Sequence, residues 1–354
     1  MFPEWTWIVG LALGATVGSF LNVVVYRTPR NLSLANPPRS FCPKCRHSLE
    51  LPDLVPLLSW LALRGNCRHC KAKVPFRYFF VELLNGAVWA GLWYRFFIVE
   101  ADPAKFVAYA AGASTLVAIV FIDWELYIIP DQLNAFLWAV GIAYGVSLGV
   151  AGAPEAWTWG MPSPLAGWIT GVGALWGVAL FGRVLFRKDS MGHGDIKLAR
   201  GIGALVFPVS ALIGFGLAVV LGAVLGIAQI LLLKPKAGEE QDGGEGESWE
   251  PESVASLFKC GLGYLLCVDI VGLFFPRLYE SWFAEPAFAA IEEVEEFEVE
   301  RTMIPFGPYL ALGAVAVMLF EVPLRGMWDR YFEWAFGGQA MLEHFARLSG
   351  LILS

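Results

Sequence analysis

Apolar runs of about 20 residues recur along the chain, separated by short charged stretches, and that is the length an α-helix needs to cross a bilayer. Continuous runs occupy residues 5–26, 78–99, 105–122, 127–148, 165–186 and 303–320. A longer one, 195–233, has Pro208 near its middle and closes on Lys234 and Lys236. Proline interrupts a helix by removing a donor and clashing with the preceding turn, so this run predicts a helical hairpin with a short first arm. The pattern therefore predicts an all-α fold: a polytopic helical membrane protein with about eight transmembrane helices. The first run has Glu4 as its only preceding charge and lacks the basic flank of a signal peptide, so it is expected to be a retained helix.

Residues 257–275 are apolar but contain Lys259 and Asp269. Burying both near mid-bilayer would cost on the order of 2.5–3.5 kcal/mol each, so a helix lying on the membrane surface is expected here rather than a ninth span. The stretch 238–247 has the composition of a solvated linker. The tail after Glu321 mixes aromatic and charged residues, as an interfacial amphipathic helix does. No internal repeat is evident.

Composition agrees with the hydropathy. The 354 residues are 57% hydrophobic and only 16% charged, against about 25% charged in ordinary soluble domains. That excludes a disordered chain, a nucleic-acid binder built on basic patches and an ordinary cytosolic enzyme. The net charge of −7 conceals two populations: segment 235–302 carries −12, and the rest of the chain +5. The loop 27–77 holds ten Lys/Arg against only Glu50 and Asp53. Positive charge in short loops marks the cytoplasmic side, so the amino terminus is expected outside and this loop inside.

Four of the six cysteines form two pairs, Cys42-Pro43-Lys44-Cys45 and Cys67-Arg68-His69-Cys70, with 21 residues between them. Four thiolates so spaced suit one tetrahedral Zn²⁺ in a closed, structural site, and a reducing compartment favours metal over disulfide. Cys42, Cys45, Cys67 and Cys70 are thus the expected metal ligands, giving a cytoplasmic zinc-binding loop. His47 and His69 beside them are read as bystanders, and Cys260 and Cys267 as core residues.

Two aspartates stand at the ends of apolar runs. Asp123 follows Val120-Phe121-Ile122, and Asp195 sits in Gly192-His193-Gly194-Asp195. Ionisable groups at bilayer depth are functional candidates, while either aspartate alone is as well explained as a helix cap. Glycine at 192 and 194 lets a substrate backbone approach closely. Two carboxylates facing one another share a proton, so one can activate water while the other donates to the scissile amide. Asp131 is read as a helix N-cap; His193 and Lys197, which flank Asp195, either tune its pKa or, on the preferred and blander account, contact lipid headgroups. Glu82 and Asn85 face either a cytosolic cavity or the helix bundle.

Taken together the chain resembles the bacterial prepilin peptidases, type IV leader peptidases of the GxGD aspartic protease family. The resemblance rests on ordered motifs along the whole chain: residues 18–27 (GSFLNVVVYR), the two cysteine pairs, 56–61 (PLLSWL), Arg77-Tyr78 with Val81-Glu82-Leu83-Leu84, Phe121-Ile122-Asp123, Ile129-Pro130-Asp131, residues 192–197 (GHGDIK) and residues 304–309 (IPFGPY). It implies that Asp123 and Asp195 are the catalytic pair, cutting basic leaders from prepilins and pseudopilins at the cytoplasmic face of the inner membrane. It also implies N-methylation of the new amino terminus with S-adenosylmethionine, in a region that includes the cysteine loop. The expected divisions are 1–100 with the methyltransferase-associated loop, 101–234 the peptidase core, 235–302 an acidic insert longer than the family pattern, and 303–354 a last span and tail. No glycine-rich nucleotide loop assigns the methyl-donor site, and no nucleic-acid partner is expected; membrane lipid is. The acidic insert has the sign to collect basic leaders through a salt-screened attraction. The competing readings are a transporter using the carboxylates as a proton relay, and a non-catalytic zinc-loop scaffold.

Overall fold

The computed structural model describes residues 2–36, 40–42, 44–187, 191–232, 253–283 and 305–336. The acidic linker 238–247 lies outside them. Twelve α-helices are found among the described residues: α1 (Trp7–Arg27), α2 (Leu58–Ala62), α3 (Phe76–Trp93), α4 (Pro103–Leu126), α5 (Asp131–Ala151), α6 (Ser163–Phe186), α7 (His193–Val206), α8 (Pro208–Leu232), α9 (Val254–Leu265), α10 (Val268–Gly272), α11 (Pro276–Phe283) and α12 (Gly307–Phe336). The strands there are two-residue pieces, Trp157–Thr158 and Met161–Pro162, closing one antiparallel turn before α6.

Helices occupy all eight expected positions. Six stretches, containing α1, α4, α5, α6, α8 and α12, are long and apolar enough to cross a membrane. The seventh, α3, carries Arg77 and Glu82 and is extended by one π-helical segment, Tyr94–Val99, which carries Arg95. The eighth, α7, is the short arm of the hairpin: Ile196 to Val206 are buried without interruption. The hairpin reverses at Phe207, whose φ of +68° precedes Pro208 at the start of α8.

Small residues let these helices approach closely, as they do where lipid removes the hydrophobic drive between helices. A Cβ on Gly167 of α6 would collide with the Gly203 carbonyl of α7. On α1, Gly10, Gly14 and Gly18 form one stripe against Trp93, Trp89 and the Val81–Glu82 backbone of α3. The spacing of four keeps them on one helix face, so the stripe fixes how α1 and α3 are rotated relative to each other. One core cluster centres on α4 and α7, and a second joins α1, α3 and the end of α4.

Residues 257–275 are not one helix. The chain breaks at Leu266 and Cys267, the latter with a φ of +55°, leaving α9 and the short α10. Asp269 is not at a surface but 1% exposed, which Arg200 compensates, as described below. Cys260 and Cys267 are buried free thiols. Past Glu321 the described chain stays helical to Phe336. It is kinked at Phe320 (φ −124°), where Pro323 disturbs the preceding turn.

Candidate active site and metal centre

The Asp123 carboxylate sits in the last turn of α4 and is 5% exposed. The helix ends there because Tyr127 takes a left-handed conformation, its N–H bonding the Asp123 carbonyl at 2.9 Å, and Pro130 follows. Asp195 lies in the first turn of α7, three residues after the N-cap Gly192, and accepts a hydrogen bond from the Gly192 N–H. That is one half of a capping box. The cap reading of Asp195 is met by that bond.

The two aspartates, 72 positions apart in sequence, stand on helix ends that meet around Ile129. Ile129 is the spacer between their elements: Gly194 packs against it, with room for a Cβ only 3.2 Å from Ile129 Cβ. Gly307, at the start of α12, closes the third side. Its N–H bonds the Asp123 carboxylate, and a Cβ there would collide with Asp123 Oδ2 and approach Ile129 Cδ1 to 3.0 Å. Gly192 is exposed and opens the site to solvent.

Around this pair lies a polar frame. Asp131 is the first helical residue of α5 rather than its N-cap, and its side chain makes no cap hydrogen bond. It instead pairs with Lys197 Nζ at 2.8 Å through both oxygens and accepts from Tyr279 Oη at 2.8 Å. Lys197 is thus buried in protein, not at a headgroup, and His193 Nδ1 lies 2.9 Å from Tyr264 Oη. One turn on, Arg200 makes a bidentate ion pair with Asp269 at 2.6 and 2.7 Å, both side chains nearly inaccessible. The insert helices α9, α10 and α11 each contribute one of these groups to α7.

Glu82 and Asn85 separate. Asn85 faces the bundle, bonding the Gly14 carbonyl and Ser114 Oγ. Glu82 faces a cavity between α1, α3 and the cysteine loop and accepts from Leu57 N–H at 2.7 Å. The cavity and the aspartates share one end of the bundle, because Arg77 at the start of α3 is ion-paired to Glu125, two residues past Asp123.

The cysteine loop folds into two matching turns. Cys42 N–H bonds the His47 carbonyl and Cys67 N–H the Ala72 carbonyl, with Arg46 and Lys71 left-handed at the same offset. All four sulfurs lie within 4.8 Å of each other, and Cys42 and Cys70 Sγ are 3.8 Å apart. Tetrahedral Zn²⁺ with Zn–S bonds of about 2.3 Å requires sulfurs about 3.8 Å apart, so the cluster fits a metal. The Cys45 and then Lys44 backbone N–H groups pull the Cys42 thiol down to about 7, while, against the His47 backbone N–H, desolvation and the other three sulfurs push Cys45 up to about 11, as in a crowded set that ionises one thiol before the next. The His47 and His69 rings lie against one another beside it, 3.6 Å between centroids and tilted by 36°.

Comparison with known proteins is consistent along the chain. Residues 12–96 match the bacterial peptidase A24 N-terminal domain, and residues 110–227 match the type IV leader peptidase family. The prepilin leader peptidase/N-methyltransferase of Myxococcus xanthus is 34% identical over 87% of this chain and 88% of its own. The proteins of that name from Stutzerimonas stutzeri and Neisseria gonorrhoeae are 32% and 30% identical, over 65% and 60% of this chain and 83% and 82% of theirs. No solved structure shows a significant match. Both family matches end before α9.

Proposed function

Because the chain belongs to the type IV leader peptidase family, we infer that it is a multi-pass membrane protease that removes the leader from prepilins and N-methylates the amino terminus so exposed. Asp123 and Asp195 are the catalytic pair. The observation that supports this is the junction at Ile129, which packs on Gly194 of α7 and on Gly307 of α12, whose N–H bonds Asp123, so that the two helix ends carrying the carboxylates meet there. Sharing one proton, the ionised member draws a proton from water as it attacks the scissile carbonyl; the protonated member supplies one to the amide as its C–N bond breaks. No covalent intermediate forms. The Gly307 N–H holds one carboxylate in place.

Cleavage takes place at the cytoplasmic face of the inner membrane, a reading supported by the charge of the basic loop 27–77, which suits that side and shares an end of the bundle with the aspartates. Clients are basic-leader prepilins and pseudopilins, and the methyl donor is S-adenosylmethionine. Cys42, Cys45, Cys67 and Cys70 hold Zn²⁺, whose contribution is structural: it fixes the loop against α1 and α3. Transport and scaffold readings have no comparable support.

Purified protein given a prepilin peptide should release the leader and, with S-adenosylmethionine, methylate the new terminus; recovery of intact peptide would overturn the reading. Stripping zinc with a strong chelator should cut methylation by more than about tenfold while cleavage stays within about threefold, because the metal loop rests on α1 and α3 and no α7 residue lines the cavity beside it. Parallel loss of both activities would contradict that separation. Gly307→Ala should lower cleavage by about 10²-fold, the usual consequence of displacing a reacting group by about 1 Å. Unchanged peptide turnover in this variant would exclude Gly307 from the site.

A further inference from the structure

The cavity beside the cysteine loop has a volume of about 300 Å³, at the lower bound of small-molecule sites, which span about 300–1,000 Å³. Its floor is α1 and α3, and its wall is the loop itself, including Cys42 and Cys67. Two of its polar groups point to a missing ligand. Glu82 is 9% exposed, accepts hydrogen bonds from Leu57 N–H and the Ser19 hydroxyl, and has no ion-pair partner among the described residues. Asn22 is 5% exposed; its amide nitrogen is held by the Tyr78 carbonyl at 3.1 Å, leaving Oδ1 without a hydrogen-bond partner. Native structures rarely keep a buried carboxylate without a counter-charge, and Arg27, Lys44, Arg68 and Lys73 line the same cavity, so the site suits a ligand of both signs, with its cation at Glu82 and a carboxylate at the basic side chains. Trp60, Tyr78 and Phe79 line the same space, supplying aromatic surface for a flat heterocycle.

We propose that this cavity is the methyl-donor site, binding an adenosyl sulfonium with Glu82 as its anionic partner. The assignment rests on the methyltransferase reading above and goes beyond it by naming the pocket. Cation, heterocycle and hydrogen-bonding groups in one ligand account for the three features of the lining together. The acceptor amine, having lost a proton to solvent, takes the methyl carbon with its lone pair. The methyl–sulfur bond breaks with its electrons staying on sulfur, which becomes neutral. A carboxylate facing that sulfur therefore favours the charged donor over the neutral thioether product and assists product release. The Arg77–Glu125 ion pair keeps this pocket at the same end of the bundle as the aspartates, so one chain end can be cut and then methylated without crossing the membrane.

Equilibrium dialysis of full-length, zinc-loaded protein in detergent, with S-adenosylmethionine and S-adenosylhomocysteine as probes, tests the assignment. Glu82→Gln should weaken the sulfonium about tenfold, the effect of losing one close carboxylate–sulfonium attraction, and the thioether less than about twofold. Leader cleavage, measured on the same sample, should persist and report an intact fold. Both ligands binding the variant as they bind wild type would overturn the pocket. Wild type binding neither would instead overturn the methyltransferase reading. Should Glu82→Gln lose cleavage as well, ultraviolet cross-linking of S-adenosylmethionine to unmutated protein decides. Label on Trp60, Tyr78 or Phe79 supports the site, and label confined to other helices refutes it.

Discussion

Asp123→Asn and Asp195→Asn should each depress leader cleavage by between about 10²- and 10⁴-fold, the range that positioned acid–base groups contribute. Asparagine keeps the size of the side chain and an acceptor oxygen, so the Gly307 N–H bond to residue 123 and the Gly192 N–H bond to residue 195 both survive. What is lost is the ability to take or give a proton. Because the pair acts as a unit, the double variant should be hardly worse than either single one. Methylation of a pre-cleaved substrate should be unaffected, since Glu82 and the cysteine loop lie on α1, α3 and their connection. The measurement is turnover of a prepilin peptide by mass spectrometry, with a pre-cut peptide in parallel. Residual cleavage near wild type in either variant would remove that aspartate from the mechanism.

The parts of this site legible in the sequence are those whose chemistry is local. Hydropathy shows the spans because lipid requires about 20 apolar residues in a row. Two CxxC pairs announce a metal cluster because each turn brings its own two sulfurs together. Asp123 and Asp195 stand out because a charge at the end of an apolar run is costly. The junction around them is different. Ile129, Gly194 and Gly307 converge only through the packing of α4, α7 and α12, and nothing in a run such as Ile304-Pro305-Phe306-Gly307 says which carboxylate the glycine will touch. Long-range ion pairs are hidden for the same reason: Asp131 reads as a cap and Lys197 as a headgroup contact until α5 and α7 are side by side, 66 residues apart in sequence. The Gly10, Gly14 and Gly18 stripe is the exception, a spacing that was readable and that orients α1 against Glu82.

Asp269→Ala is expected to be the most destabilising single change outside the aspartate pair. It would leave the Arg200 guanidinium, 0% exposed, without its paired carboxylate; its Nε already lacks a hydrogen-bond partner, and the neutral Tyr264 carbonyl at 3.2 Å and the Cys267 sulfur would remain. Breaking a buried pair from one side costs about 3–5 kcal/mol, whereas replacing both members with apolar residues of similar volume is often neutral or stabilising by about 1–4 kcal/mol. The double variant Arg200→Met/Asp269→Leu should therefore recover the melting temperature that Asp269→Ala loses. Activity need not follow stability. The insert grips α7 at three points, Tyr264 on His193, Asp269 on Arg200 and Tyr279 on Lys197, all within a few residues of Asp195. If the clamp positions that carboxylate, the double variant will be stable yet still cleave slowly, with its kcat lowered and its KM little changed. Full recovery of both would make the ion pair purely structural, and an unaltered melting temperature in Asp269→Ala would show that α10 does not hold α7 at all.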